Sequence, residues 1–147
     1  MKDAATDFQR DLFLCHAHAD KELFVRPLAD ELRKYGVSCW LDEAEIALGD
    51  HIAARINDGL RYSRFVLVFV TPNFIERNWP LVELYAAFGI EVRKGEVVVL
   101  LVLAISDAEW KNCFPLLAEK KYVSWSMGVD HIAQQITKKV SQTFEDQ

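Results

Sequence analysis

Three cysteines, six glycines and four prolines in 147 residues leave this chain with little of the punctuation that several functional classes require. Cys15, Cys39 and Cys113 are odd in number and widely spaced, so they make neither a disulfide framework nor a C-x-x-C redox or zinc motif. They are expected to be reduced core thiols. No G-x-G-x-x-G or Walker loop is present to cradle phosphates, and no G-x-S-x-G elbow presents a serine. Basic residues are outnumbered, 17 against 22 acidic, for a net charge of −5, and no lysine or arginine block occurs. A phosphate-backbone binder needs a basic face, so no nucleic-acid partner is expected. No apolar run approaches the roughly 18 residues of a membrane span. The opening "MKDAATDFQRD" is polar rather than signal-like. No membrane partner and a cytoplasmic location are therefore expected.

What is present is an ordinary globular balance, 51% apolar and 27% charged. The length suits one domain with its own core. It is placed at residues 11–144, between tails at 1–10 and 145–147. Two periodicities alternate along it. "DLFLC" (Asp11–Cys15) reads as a strand. Helical spacing follows at Phe24, Leu28, Leu32 and Tyr35, with Asp20 as N-cap, a kink or restart at Pro27, and Gly36 as the stop. "VSCWL" (Val37–Leu41) is the next strand. "DEAEIALGD" (Asp42–Asp50) has no clear period and reads as a loop, with Asp50 capping a helix marked by Ile52, Ile56 and Leu60. "RFVLVFV" (Arg64–Val70) and "VVVLLVL" (Val97–Leu103) have the continuous apolar character of strands covered on both faces. "KYVSW" (Lys121–Trp125) is a short fifth strand, and the last helix carries Val129, Ile132, Ile136 and Val140. This alternation predicts an α/β fold, a five-stranded parallel sheet of flavodoxin-like order 2-1-3-4-5 with helices on both faces. A crevice is expected where the chain reverses direction, at the carboxyl ends of the first and third strands. "HAHAD" and "TPNFIERNW" border it.

The second of these segments leads into "NWPLVELYAAFGI" (Asn78–Ile90), where Glu83 is the one charged side chain. Pro80 suits a first helical turn, so a helix is expected from about Asn78 or Trp79. Leu81, Leu84, Tyr85, Phe88 and Val92 share one face of it. Trp79 and Glu83, four apart, are neighbours on the other. An unpaired buried carboxylate is expensive. Glu83 therefore either pairs with an arginine such as Arg55, Arg61 or Arg77, or faces the crevice as a working group. Spacing alone leaves both open. His16 and His18 could in principle ligate a metal, but two imidazoles without a carboxylate or thiolate partner make a poor site, and no metal is expected. A phosphate-accepting receiver needs an aspartate at the end of the third strand. "FVTPN" has none there, which excludes that relative of the fold.

Several long motifs in order, from Asp11 to about Val123, resemble bacterial Toll/interleukin-receptor (TIR) domains. They are the first-strand box "DLFLCHAHADK", "WLDEAEIALGD", "SRFVLVFVTPNF", "NWPLVEL" and the weaker "FPLLAEKKYV". The resemblance implies a flavodoxin-like TIR fold and, in the family's enzymatic branch, cleavage of NAD+ between nicotinamide and ribose. NAD+ is then the substrate, and no cofactor is needed. It maps the catalytic glutamate onto Glu83 and its preceding tryptophan onto Trp79. His16 and Ala17 line the nucleotide crevice, and Asp42 matches an acidic position at its border. "EAEIALGD" becomes the BB loop, with Glu43, Glu45, Ile46, Leu48, Gly49 and Asp50 as residues of domain–domain contact and gating. Leu48-Gly49 stands where many members have Pro-Gly. The resemblance further implies homotypic self-association and a role in bacterial immunity or cell death. The rival reading is a non-catalytic TIR scaffold. A nucleoside deoxyribosyltransferase-like enzyme, which also sets a glutamate against an N-glycosidic bond, lacks the motif-by-motif match.

Overall fold

A computed structural model of the chain describes residues 9–47, 49–77, 86, 89, 98–117 and 120–145. Six strands, β1 (Arg10–Ala17), β2 (Cys39–Trp40), β3 (Glu45–Ile46), β4 (Ser63–Val70), β5 (Val99–Leu103) and β6 (Val123–Ser124), alternate with helices. The helices are α1 (Arg26–Lys34), α2 (Ile52–Tyr62), α3 (Pro72–Glu76), α4 (Asp107–Cys113) and α5 (Val129–Glu145). The main path of the sheet is β2-β1-β4-β5-β6, parallel throughout. Counted without β3, this is the 2-1-3-4-5 order read from the sequence.

The central strands are apolar along their whole length because both of their faces are covered. Side chains alternate between faces with period two. Phe13, Val66, Val68, Leu101 and Leu103 meet Ile52, Ile56, Phe74 and Trp110 on one side. Leu12, Leu14, Phe65, Leu67 and Val102 meet Leu28, Leu32, Ile132 and Ile136 on the other. Truncating one such fully buried leucine to alanine costs about 2–5 kcal/mol. The helix α2 lies very near the sheet at Gly59. A Cβ there would stand 2.6 Å from both Phe13 Cδ2 and Val66 Cγ2, so only glycine permits this approach.

Three local expectations are corrected. The stretch Asp42–Asp50 is not only loop: it holds a 3-10 turn, Asp42–Ala44, and β3, which pairs with the end of β1 through His16↔Glu45 and Ala17↔Ile46. A strand of two residues has no period to detect. Asp20 stands at the N-cap position of a π turn, not of α1, and its side chain makes no capping bond. β1 passes through a 3-10 turn, His18–Asp20, into a single π turn, Lys21–Val25, and only then into α1. Pro27 lies in the first turn of α1, where its missing N–H costs nothing, so the expected restart occurs there. Asp50 is likewise not the cap of α2, a position that falls to His51. Its carboxylate instead accepts the Ala47 N–H at 2.7 Å.

All three cysteines are free. Burial pushes the Cys15 and Cys39 thiols up to about 12, which leaves them inert at neutral pH. Among the described residues no helix is long and apolar enough to cross a membrane.

Candidate functional site

The carboxyl ends of β1 and β4 lie side by side, in register at Cys15↔Val68, with β2 and β4 on opposite flanks of β1. This is the reversal point at which open α/β sheets form a crevice. One lip is the segment leaving β1, from His16 to Val25. The other is Thr71 and α3, which leave β4.

His16 is fully buried. Its Nδ1 is 2.6 Å from the Leu14 carbonyl, and a carbonyl can only accept, so Nδ1 carries the proton. Nε2 is then a bare acceptor with no hydrogen-bond partner among the described residues. Burial holds the imidazole below its ordinary value, opposed by the bond to Leu14 and by the charge of Glu45. The ring is therefore neutral at pH 7. Ala17 is buried beside it, 6% exposed.

Just outside lies an ionic clasp. Lys21 Nζ is 2.8 Å from Asp42 Oδ1 and 3.5 Å from Glu45 Oε1, and His18 Nδ1 is 2.5 Å from the same Glu45 oxygen. The Lys21 ammonium holds the Asp42 carboxyl below the usual range, and the His18 hydrogen bond does the same to Glu45. Asp42 is well exposed and Glu45 half-buried, while Ile46 points into the core at 2% exposure. Behind the clasp, Arg55 donates to the Glu43 carbonyl and reaches Asp50 Oδ2 at 3.7 Å and Asp58 Oδ2 at 3.4 Å. Arg77 donates to the Ala47 carbonyl at 3.2 Å. Gly49, at φ +88°, makes the turn between these anchors.

His16, Ala17, Asp42, Glu45 and Ile46 thus come together where β3 is stitched to β1. Glu43 and Asp50 hang from Arg55, beneath the same loop. Leu48, Trp79 and Glu83 lie outside the described residues, and of the helix expected from Asn78 only Ala86 and Gly89 are described, both helical. Among the described residues no group of three His, Cys, Asp or Glu side chains is arranged to hold a metal ion. Beyond the Lys21–Val25 turn, an open groove of about 650 Å³ runs along the ends of β5 and β6, walled by Phe24, Tyr122 and Trp125.

The residues that sequence reasoning missed are Lys21 and a buried polar joint between the two lips. Asp20, fully buried, accepts the Thr71 hydroxyl at 2.5 Å on Oδ2 and the Asn73 amide at 2.9 Å on Oδ1. Thr71 Oγ1 in turn accepts the Phe74 N–H at 3.1 Å, as the N-cap of α3. The available signal was Thr71-Pro72, a cap residue followed by a proline suited to a first turn. Nothing in the spacing pointed from there to Asp20.

A family model described as TIR domain matches residues 12–140. The chain is 35% identical over 131 residues to an NAD(+) hydrolase, TcpA, of a Theionarchaea archaeon, across 89% of this chain and 40% of that protein. It is 33% identical over 132 residues to a 2' cyclic ADP-D-ribose synthase, AbTIR, of Acinetobacter baumannii, across 89% and 49% respectively. The chain therefore spans less than half the length of these relatives. Among solved structures, the TIR domains of the activated Roq1 resistosome superpose with a TM-score of 0.58 at 21% identity, covering 89% of this chain and 99% of that one. That likeness concerns the fold.

Proposed function

The chain belongs to the TIR domain family, matched over residues 12–140, and from that premise we propose that it cleaves NAD+ at the nicotinamide–ribose bond. One observation carries this reading: an NAD(+) hydrolase and a cyclic ADP-ribose synthase are each similar to 89% of the chain. The tryptophan and glutamate of "NWPLVEL" stand in that stretch as Trp79 and Glu83.

The chemistry suits one carboxylate. The bond from ribose C1′ to the pyridinium nitrogen breaks, its electron pair goes to the nitrogen, and neutral nicotinamide leaves without needing a proton. Positive charge develops on C1′ and its ring oxygen. Glu83 stabilises it and holds the ribose hydroxyls, as glycosidase carboxylates do. Trp79 forms an aromatic wall. Water then adds its oxygen to C1′ and releases a proton, giving ADP-ribose, or a hydroxyl of the same molecule adds and gives a cyclic product. The neutral, buried His16 and its neighbour Ala17 shape the floor of the crevice, and Asp42 borders its mouth. The loop Glu43–Asp50 gates the site and meets other TIR domains, so activity rises when copies cluster. A cytoplasmic signalling role in immunity or cell death accords with this reading, as do the free cysteines.

Turnover of a fluorogenic etheno-NAD+ by concentrated protein tests the proposal. The wild type releases signal, and Glu83→Gln, which keeps shape but loses charge, does not. Equal turnover by that variant removes Glu83 from the chemistry. No turnover by the wild type, even when forced to cluster, leaves the scaffold reading instead.

A further inference from the structure

Asp20 is fully buried, yet among the described residues no cation stands at ion-pair distance from it. The adjacent Lys21 is turned outward to Asp42 and Glu45. Buried carboxylates are ordinarily paired with a positive charge. This one is held by neutral donors, and both come from residues more than fifty positions away in sequence. One oxygen takes the hydroxyl of Thr71 and the other the amide of Asn73, so the two contacts fix α3 against the turn that leaves β1 in both distance and rotation. The Thr71 hydroxyl works twice, donating to Asp20 and accepting from Phe74, which makes the joint a short polarised chain. A joint of this kind specifies an angle between two segments, and a packed apolar contact of the same area would let them slide.

From this we infer that Asp20 is a positioning residue for NAD+ cleavage, setting where the chain that runs on to Glu83 leaves the sheet. The inference rests on the proposed NAD+-cleaving function. Asp20 touches no reacting atom. It acts through Thr71 and Asn73 on the direction of α3, from which the chain runs on in sequence to Glu83. Replacement by asparagine keeps the volume but leaves one acceptor oxygen where two donors compete.

The test is steady-state kinetics on the clustered full chain, with nicotinamide release as readout. Asp20→Asn lowers kcat by about a hundredfold, the loss expected of an ångström-scale misplacement, and leaves KM within about threefold. Thr71→Val behaves alike, the double variant is no worse than either single one, and Thr71→Ser restores most of the kcat lost in Thr71→Val. A lower melting temperature with unchanged kcat in the folded protein would make Asp20 merely structural and overturn the inference. So would losses that multiply in the double variant. Glu83→Gln run in parallel separates the two claims. An inactive Glu83→Gln beside a fully active Asp20→Asn sinks only the positioning role, whereas an inactive wild type sinks the function and this inference with it.

Discussion

Asp20 and Asp42 stand at the same end of the same sheet, and they are held in opposite ways. Asp20 is sealed from water and takes two neutral donors from a distant part of the chain. Asp42 is open to solvent and faces an ammonium one residue beyond Asp20. Charge pairs in water are weak and screened by salt. Hydrogen bonds to a buried carboxylate are short, directional and expensive to break. The buried joint therefore sets geometry, and the exposed clasp only biases the position of the loop it holds. The two segments leaving β1 and β4 are thus fixed to each other, while the side chains of Asp42 and Glu45 beside them are held by charges.

The contrast can be broken most directly at Thr71. Thr71→Val strands a buried carboxylate oxygen and removes the cap of α3, so unfolding in urea is expected to show a loss of about 3 kcal/mol. The same loss is expected at low and high salt, because no screened pair is involved. A loss that shrinks with salt would mean that Asp20 and Asp42 are not different in kind.

A smaller effect tests His16, whose buried ring feels the charges of Glu45, Lys21 and Asp20. Burial holds its folded pKa below the ordinary 6.5, so the unfolded chain takes up a proton at a pH where the native ring still refuses it. Stability from this group is full above 6.5 and falls as pH drops through 6.5 towards the folded value. Denaturation midpoints measured from pH 8 to pH 5.5 are expected to decline with the slope of one proton or less. In His16→Gln that decline flattens. A slope unchanged in the variant would assign it to other groups.

The clasp gives the smallest signal. Glu45→Gln is expected to lower the melting temperature slightly in dilute buffer and less in about 0.5 M salt, because pairs near the surface are weakened by screening. Glu45 and Asp42 both have carboxyls held below their ordinary 4.5 and 3.8. Their contribution is therefore present above those values and lost as pH falls through the folded ones. An effect of Glu45→Gln undiminished in high salt would place the clasp with the buried joint rather than opposite it.

The layering of the fold was legible in the sequence because the central strands are buried on both faces. "RFVLVFV" and the apolar run ending at Leu103 have the continuous apolar, β-branched character expected of strands covered on both faces of a parallel sheet. The stop at Gly36 and the restart at Pro27 were legible for a different reason, since each follows from one residue's backbone. Asp20 and Asp50 were misread because both obey the local grammar of a helix cap while bonding elsewhere. Asp20 spends its oxygens on partners at positions 71 and 73, and no window of sequence contains both ends. β3 escaped because its hydrogen bonds, not its composition, make it a strand. Of the candidate site, the pairing of His16 and Ala17 with Glu45 and Ile46 brings together segments that the sequence had singled out separately.

That pairing has a further effect. One flank of β1 is used twice, first by Cys39–Trp40 and then, after the chain has swung out and back, by Glu45–Ile46. The opposite border of the sheet is β6, also only two residues long. Among the described residues, neither border offers a long row of open amide and carbonyl groups to which a foreign strand could add. These two short borders thus give strand addition little purchase when copies of the domain are crowded together.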